Sequence, residues 1–106
     1  MDDLPGQRSV LFLKEGNLWV ALWLETNIAA QEQNIKAAWR ALKATVEGQL
    51  ALDAKRGRSP FEGKRRAPEW YWQAYEHAKP LPLDFLDEEG LGRDLTVHPR
   101  QYAQAA

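Results

Sequence analysis

The chain has 106 residues, 44% hydrophobic and 27% charged, enough for one domain around one core and too apolar for a disordered class. Fourteen Lys and Arg against fifteen Asp and Glu give a net charge of −1, so nothing global demands a polyanionic partner. Cysteine is absent, which excludes disulfides, thiol nucleophiles and thiolate metal sites.

The acidic start Met1-Asp2-Asp3-Leu4-Pro5-Gly6 lacks the apolar stretch of a signal peptide. No apolar run reaches the roughly 18 residues of a membrane span. The expected location is the cytoplasm. After an arm over residues 1–8, the runs Ser9–Lys14 and Leu18–Leu24 predict two strands. Glu15-Gly16-Asn17 joins them as a short turn that tolerates positive φ. In the second strand Trp19, Ala21 and Trp23 share one face, and Leu18, Val20, Leu22 and Leu24 share the other. A strand apolar on both faces needs two covers. One is a helix; the other is the C-terminal segment or a second protein, hence an expected homodimer. Glu25-Thr26-Asn27 is a turn and Ile28–Gln31 a third strand.

Ile35, Trp39, Leu42, Val46 and Leu50 form one stripe at helical period and predict a helix over 34–55. Asn34 is its N-cap and Gly57 its stop, with Lys36, Arg40, Lys43 and Glu47 on the solvent side. A loop over residues 55–66 follows, then a short helix over 67–78 with Pro68 in its first turn. Pro80 and Pro82 end that helix. Residues 81–106, with the run Asp87-Glu88-Glu89 and no sustained period, read as an extended acidic tail. The expected fold is therefore α+β. It has a small three-stranded antiparallel sheet with one long amphipathic helix on a face, a second short helix and a C-terminal arm. Residues 9–80 form the domain.

Charge is unevenly distributed along the chain. Residues 1–35 sum to −3, residues 36–66 to +6 and residues 67–106 to −4. Lys55, Arg56, Arg58, Lys64, Arg65 and Arg66 crowd into the loop with Phe61 among them. Such cations suit phosphates, and an aromatic can stack on a base; acidic protein surfaces satisfy the same charges. In Trp70-Tyr71-Trp72, three large aromatics cannot all enter one small core, so some dock on the sheet or on a partner. The candidate contact residues are thus Lys55, Arg56, Arg58, Phe61, Lys64, Arg65, Arg66, Trp70 and Trp72. His77 and His98 have no companion at metal-ligand spacing. The acidic run reads as solvated, and no phosphate loop, nucleophile elbow or Ser/His/Asp set is present. The expectation is a non-enzyme with no metal and no cofactor.

The strand, the Gly-containing turn, Leu18-Trp19-Val20-Ala21-Leu22-Trp23-Leu24-Glu25, the strand ending Ala30-Gln31 and the long helix together resemble the HicB-like antitoxin domain over residues 9–52. Glu25 stands where that family often has an acid after the second strand, and Asn34 takes the helix-capping place. Thr26-Asn27 replaces the usual Pro-containing turn. The family's C-terminal helix-turn-helix or ribbon-helix-helix pattern is not seen in residues 57–106. The resemblance implies a partial RNase H-like fold without catalysis, and a solitary protein-binding domain of a kind found in phages and mobile elements. The implied function is neutralising a toxin, or inhibiting another bacterial or phage protein, by stoichiometric occlusion. The alternative is nucleic-acid binding through the loop 55–66.

Overall fold

The computed structural model describes residues 7–81 and 96–103. It comprises β1 (Gln7–Glu15), β2 (Leu18–Trp23), β3 (Ile28–Glu32), α1 (Ile35–Lys55), α2 (Glu69–His77), β4 (Lys79–Pro80) and β5 (Thr96–Ala103). The class is α+β, with the expected antiparallel meander β1–β3, a long helix and a short one. The sheet is wider than the meander. Its order is β3-β2-β1-β5-β4, because β5 lies parallel to β1 from Gln7↔Thr96 to Lys14↔Ala103 and β4 adds two residues beyond it. The acidic run 87–89 and most of the expected N-terminal arm lie outside the described residues.

Local chemistry explains the first elements. Glu15 pairs with Leu18, leaving a two-residue loop, and Gly16 takes φ +61° at its first position, where a type II′ turn needs a residue without Cβ. Asn34, in extended conformation, accepts the Ala37 amide on its side chain at 2.8 Å and opens α1. At the other end the Arg58 amide donates to the Asp53 carbonyl and the Gly57 amide to the Ala54 carbonyl. Gly57 sits at φ +68°, so the helix closes in a Schellman motif as its glycine foretells.

Strand alternation sends β2 into two cores. On one face Ala21 and Trp23 join Val10 and Phe12 of β1 and meet Trp39, Leu42 and Val46 of α1. On the other, Leu22 and Leu24 join Leu11 and Leu13 and meet Ala67, Ala74 and Ala78, with Tyr71, Trp72 and Tyr75 partly buried at the margin. The second cover that pointed to a homodimer is thus supplied within the chain by α2 and the segment leading into it. Glu25 fixes the start of this region, its carboxylate accepting from the Ser9 amide at 2.8 Å and the Ser9 hydroxyl at 2.9 Å.

One surface assignment is overturned. Lys43, expected on the solvent side, is buried with its ammonium 5.8 Å from the Trp39 ring centroid. It borders the apolar stripe, and its cation lies over the face of the Trp39 indole. Trp39 itself is 2% exposed and packs against Phe12 with ring centroids 6.4 Å apart. Trp39→Ala should therefore cost roughly 3–5 kcal/mol of unfolding free energy. Chemical denaturation will measure it, and a midpoint close to the parent's would mean that α1 does not rest on this ring.

Candidate functional site

The basic segment is held to the end of α1 by one carboxylate. Asp53 is 1% exposed. It accepts the Phe61 amide at 2.7 Å and the Gln49 side-chain amide at 2.9 Å, and it forms an ion pair with the Arg58 guanidinium at 3.3 Å. Burial alone would raise its pKa. The hydrogen bonds from Phe61 and Gln49 and the positive charges of Arg58 and Lys64 outweigh that, and the carboxyl is held below its ordinary value. Two turns complete the loop: the Glu62 amide donates to the Ser59 carbonyl, the Lys64 amide to the Phe61 carbonyl, and the Glu62 carboxylate accepts the Ser59 amide at 3.0 Å.

Phe61 belongs to the core. It is 5% exposed and sets its ring edge-on to Trp23, centroids 4.9 Å apart at 85°. From there it can stack on no base and touch no partner, so it leaves the candidate contact set. Its backbone sits at φ +61°, an uncommon place for a bulky residue. The Asp53 carboxylate holding its amide and the Trp23 ring holding its side chain keep it there. Sequence reasoning saw an aromatic among cations; no local signal marks it as an anchor.

The remaining candidates divide by environment. Arg58 is committed to Asp53. Arg66 lies over the face of Trp72, 4.2 Å from the ring centroid, and the Trp72 indole donates to the Ala67 carbonyl at 3.1 Å. Trp72 is half-buried against the second core, so the Arg66–Trp72 stack forms a fixed wall. Lys55, Arg56, Lys64 and Arg65 are exposed, and among the described residues no ion pair engages them. Lys55 and Arg56 end α1, and Lys64 is close enough to Asp53 to shift its titration. The cations therefore share one end of the molecule.

Trp70, in the first turn of α2, is the exposed aromatic of the candidate set. It is 46% exposed, stands edge-on to Tyr71 at 5.0 Å, and borders an open groove of about 390 Å³ with Gln73, Ala74 and His77. Exposed positive charge and an exposed large aromatic are both chemistry for binding. Among the described residues no group of three or more His, Asp or Glu is gathered to hold a metal ion, and no helix is long and apolar enough to cross a membrane.

The lowered pKa of Asp53 has a definite sign. The charged form is favoured by folding, so its contribution is present above the ordinary carboxylate value and is lost as pH falls through the folded value. Asp53→Asn should be less stable than the parent at pH 7, and the gap should close on acidification below about pH 4. Denaturation midpoints measured across that interval check this; parallel pH profiles would show that the carboxylate's charge does not hold the loop.

In comparisons with protein families, with characterised proteins and with solved structures, no family model, no curated protein and no structure matches this chain.

Proposed function

We propose that the protein is a non-enzymatic protein-binding module that neutralises a toxin, or inhibits another bacterial or phage protein, by stoichiometric occlusion. The observation that carries this is the set of four exposed cations, Lys55, Arg56, Lys64 and Arg65, that no ion pair engages among the described residues, at and beyond the end of α1 where Asp53 and Phe61 tie down the backbone, together with the exposed Trp70 of α2. A preordered loop loses little conformational freedom on binding. Charge accelerates encounter with an acidic surface, and a tryptophan beside a groove supplies the kind of anchor that dominates interface energetics. The meander followed by α1 is also the arrangement implied by the HicB-like resemblance.

Nucleic-acid binding is the second reading, favoured by the same four cations, which are free to neutralise phosphates. The two readings differ in salt response. Contact with about four phosphates would make log affinity fall with log salt at a slope of roughly −3 to −4. A protein interface centred on Trp70 depends on salt mainly through its association rate.

Immobilised protein offered to lysate of the native host should retain a stoichiometric protein partner. Charge reversal at Lys55, Arg56, Lys64 and Arg65 together should slow association with that partner by at least tenfold at low salt and leave the melting temperature within a few degrees. Arg58 is left out because it is tied to Asp53. Trp70→Ala should raise the dissociation rate instead. Unchanged kinetics in both variants would defeat the proposal. Retention of nucleic acid alone, with the steep salt slope in a gel shift on a labelled oligonucleotide, would establish the second reading in its place.

A further inference from the structure

We propose that β3 is a dimer interface, its outer edge pairing antiparallel with the same strand of a second copy so that the two sheets join. β3 ends the sheet, and among the described residues no strand lies beyond it. The backbone pattern decides which groups it presents there. The Leu24 amide, just past β2, donates to the Ser9 carbonyl. Even-numbered residues of β2 therefore turn their amides and carbonyls to β1, and odd-numbered ones turn theirs to β3. Trp19, Ala21 and Trp23 stand opposite Glu32, Ala30 and Ile28, which accordingly bond inward. Ala29 and Gln31 are left with their backbone groups directed away from the sheet, and both residues are exposed.

This edge lacks the devices that keep sheet edges apart. Ile28–Glu32 pairs with β2 in unbroken register without a bulge, and it holds no Pro and no Lys. At the opposite end of the sheet, β4 is two residues long and one of them is Pro80. The strand is also complementary to itself. A two-fold axis at Ala30 sets Ala29 of each copy against Gln31 of the other, each such pair exchanging two backbone hydrogen bonds. Ala30 then meets Ala30 and Ile28 meets Glu32, so no like charges face each other. The flank of α1 beside the edge is short-chained. Lys43 lines a crevice with Arg8 and Val10 of β1, so the opposite flank, with Ala38, Ala41 and Thr45 at helical spacing, is on the β3 side. Ala38 is fully buried, and Thr45 turns its hydroxyl back to the Ala41 carbonyl at 2.9 Å. A second copy suits the edge better than an unstructured peptide, because its strand is already ordered and loses little freedom on pairing. A net charge of −1 leaves little repulsion between copies. The homodimer expected from the two-faced β2 thus rests on the sheet edge instead, and it uses neither the loop cations nor Trp70.

Sedimentation equilibrium of the full chain provides the test. The mass should rise from 12.1 kDa toward twice that value with concentration. The Kd should be roughly 10–100 µM, because one strand edge and a helix flank lie at the small end of interface sizes. Amide hydrogen exchange reads the edge itself. The Ala29 and Gln31 amides should gain protection as concentration rises through the Kd, while the inward amide of Ala30 is protected throughout. Ala29→Pro removes an outward donor at a position where an edge strand accepts proline. It should leave the chain folded and weaken association at least tenfold. If Ala29→Pro does not fold, hydrogen exchange in the parent decides. A single-chain mass persisting to millimolar concentration would overturn the proposal. So would a dimer whose Ala29 and Gln31 amides stay unprotected, or one that a folded Ala29→Pro variant forms as readily as the parent.

Discussion

The structure turns on the buried Asp53 carboxylate. A charge taken out of water costs several kcal/mol unless hydrogen bonds and opposite charge replace its hydration. Asp53 receives both, from Phe61, Gln49 and Arg58. In doing so it reverses the chain at the end of α1 and delivers Phe61 to Trp23. The chain then returns along the sheet, where the Ala67 amide donates to the Leu24 carbonyl at 2.7 Å. That bond sets where α2 begins and which face of the sheet it covers. The loop carrying the exposed cations is consequently a strut between the two cores.

Trp23 links the two halves of this arrangement. One indole receives the edge of Phe61 and lies under the guanidinium of Arg8. The loop beyond α1 and the first strand are thereby read through the same ring. Burial lowers the pKa of Arg8, and the field of Glu25 partly restores it. A cation–π contact shielded from water is worth about 2 kcal/mol, which offsets part of the cost of burying that cation.

Much of the fold was legible in the sequence because its signals are local. The two strands, Gly16, the Asn34 cap, the helical stripe and the Gly57 stop all announce themselves within a few residues of where they act. What was missed depends on distant partners. Residues 96–103 have no helical or strand period of their own, and their strand exists because β1 has a free edge to pair. Lys43 is charged, and only the neighbouring Trp39 ring turns it inward. Phe61 reads as one more binding residue in a basic loop; it is a core residue because Asp53, eight positions earlier, captures its amide. Of the candidate site, the sequence located the cations and Trp70. It could not separate the four exposed cations from Arg58 and Arg66, whose guanidinium groups are already occupied.

The parallel pairing of β1 with β5 has a consequence for how the molecule assembles. The hairpin, the third strand and α1 are consecutive and close small loops, so they can form with little entropic penalty. Strand β1, in contrast, sits at the centre of the finished sheet and gains its second neighbour only from the far end of the described chain. Such non-local contacts raise the contact order and slow the final step of folding. Until that step is complete, the most deeply buried strand of the protein presents a bare backbone edge to whatever lies nearby, which is the kind of template on which strand exchange and aggregation begin.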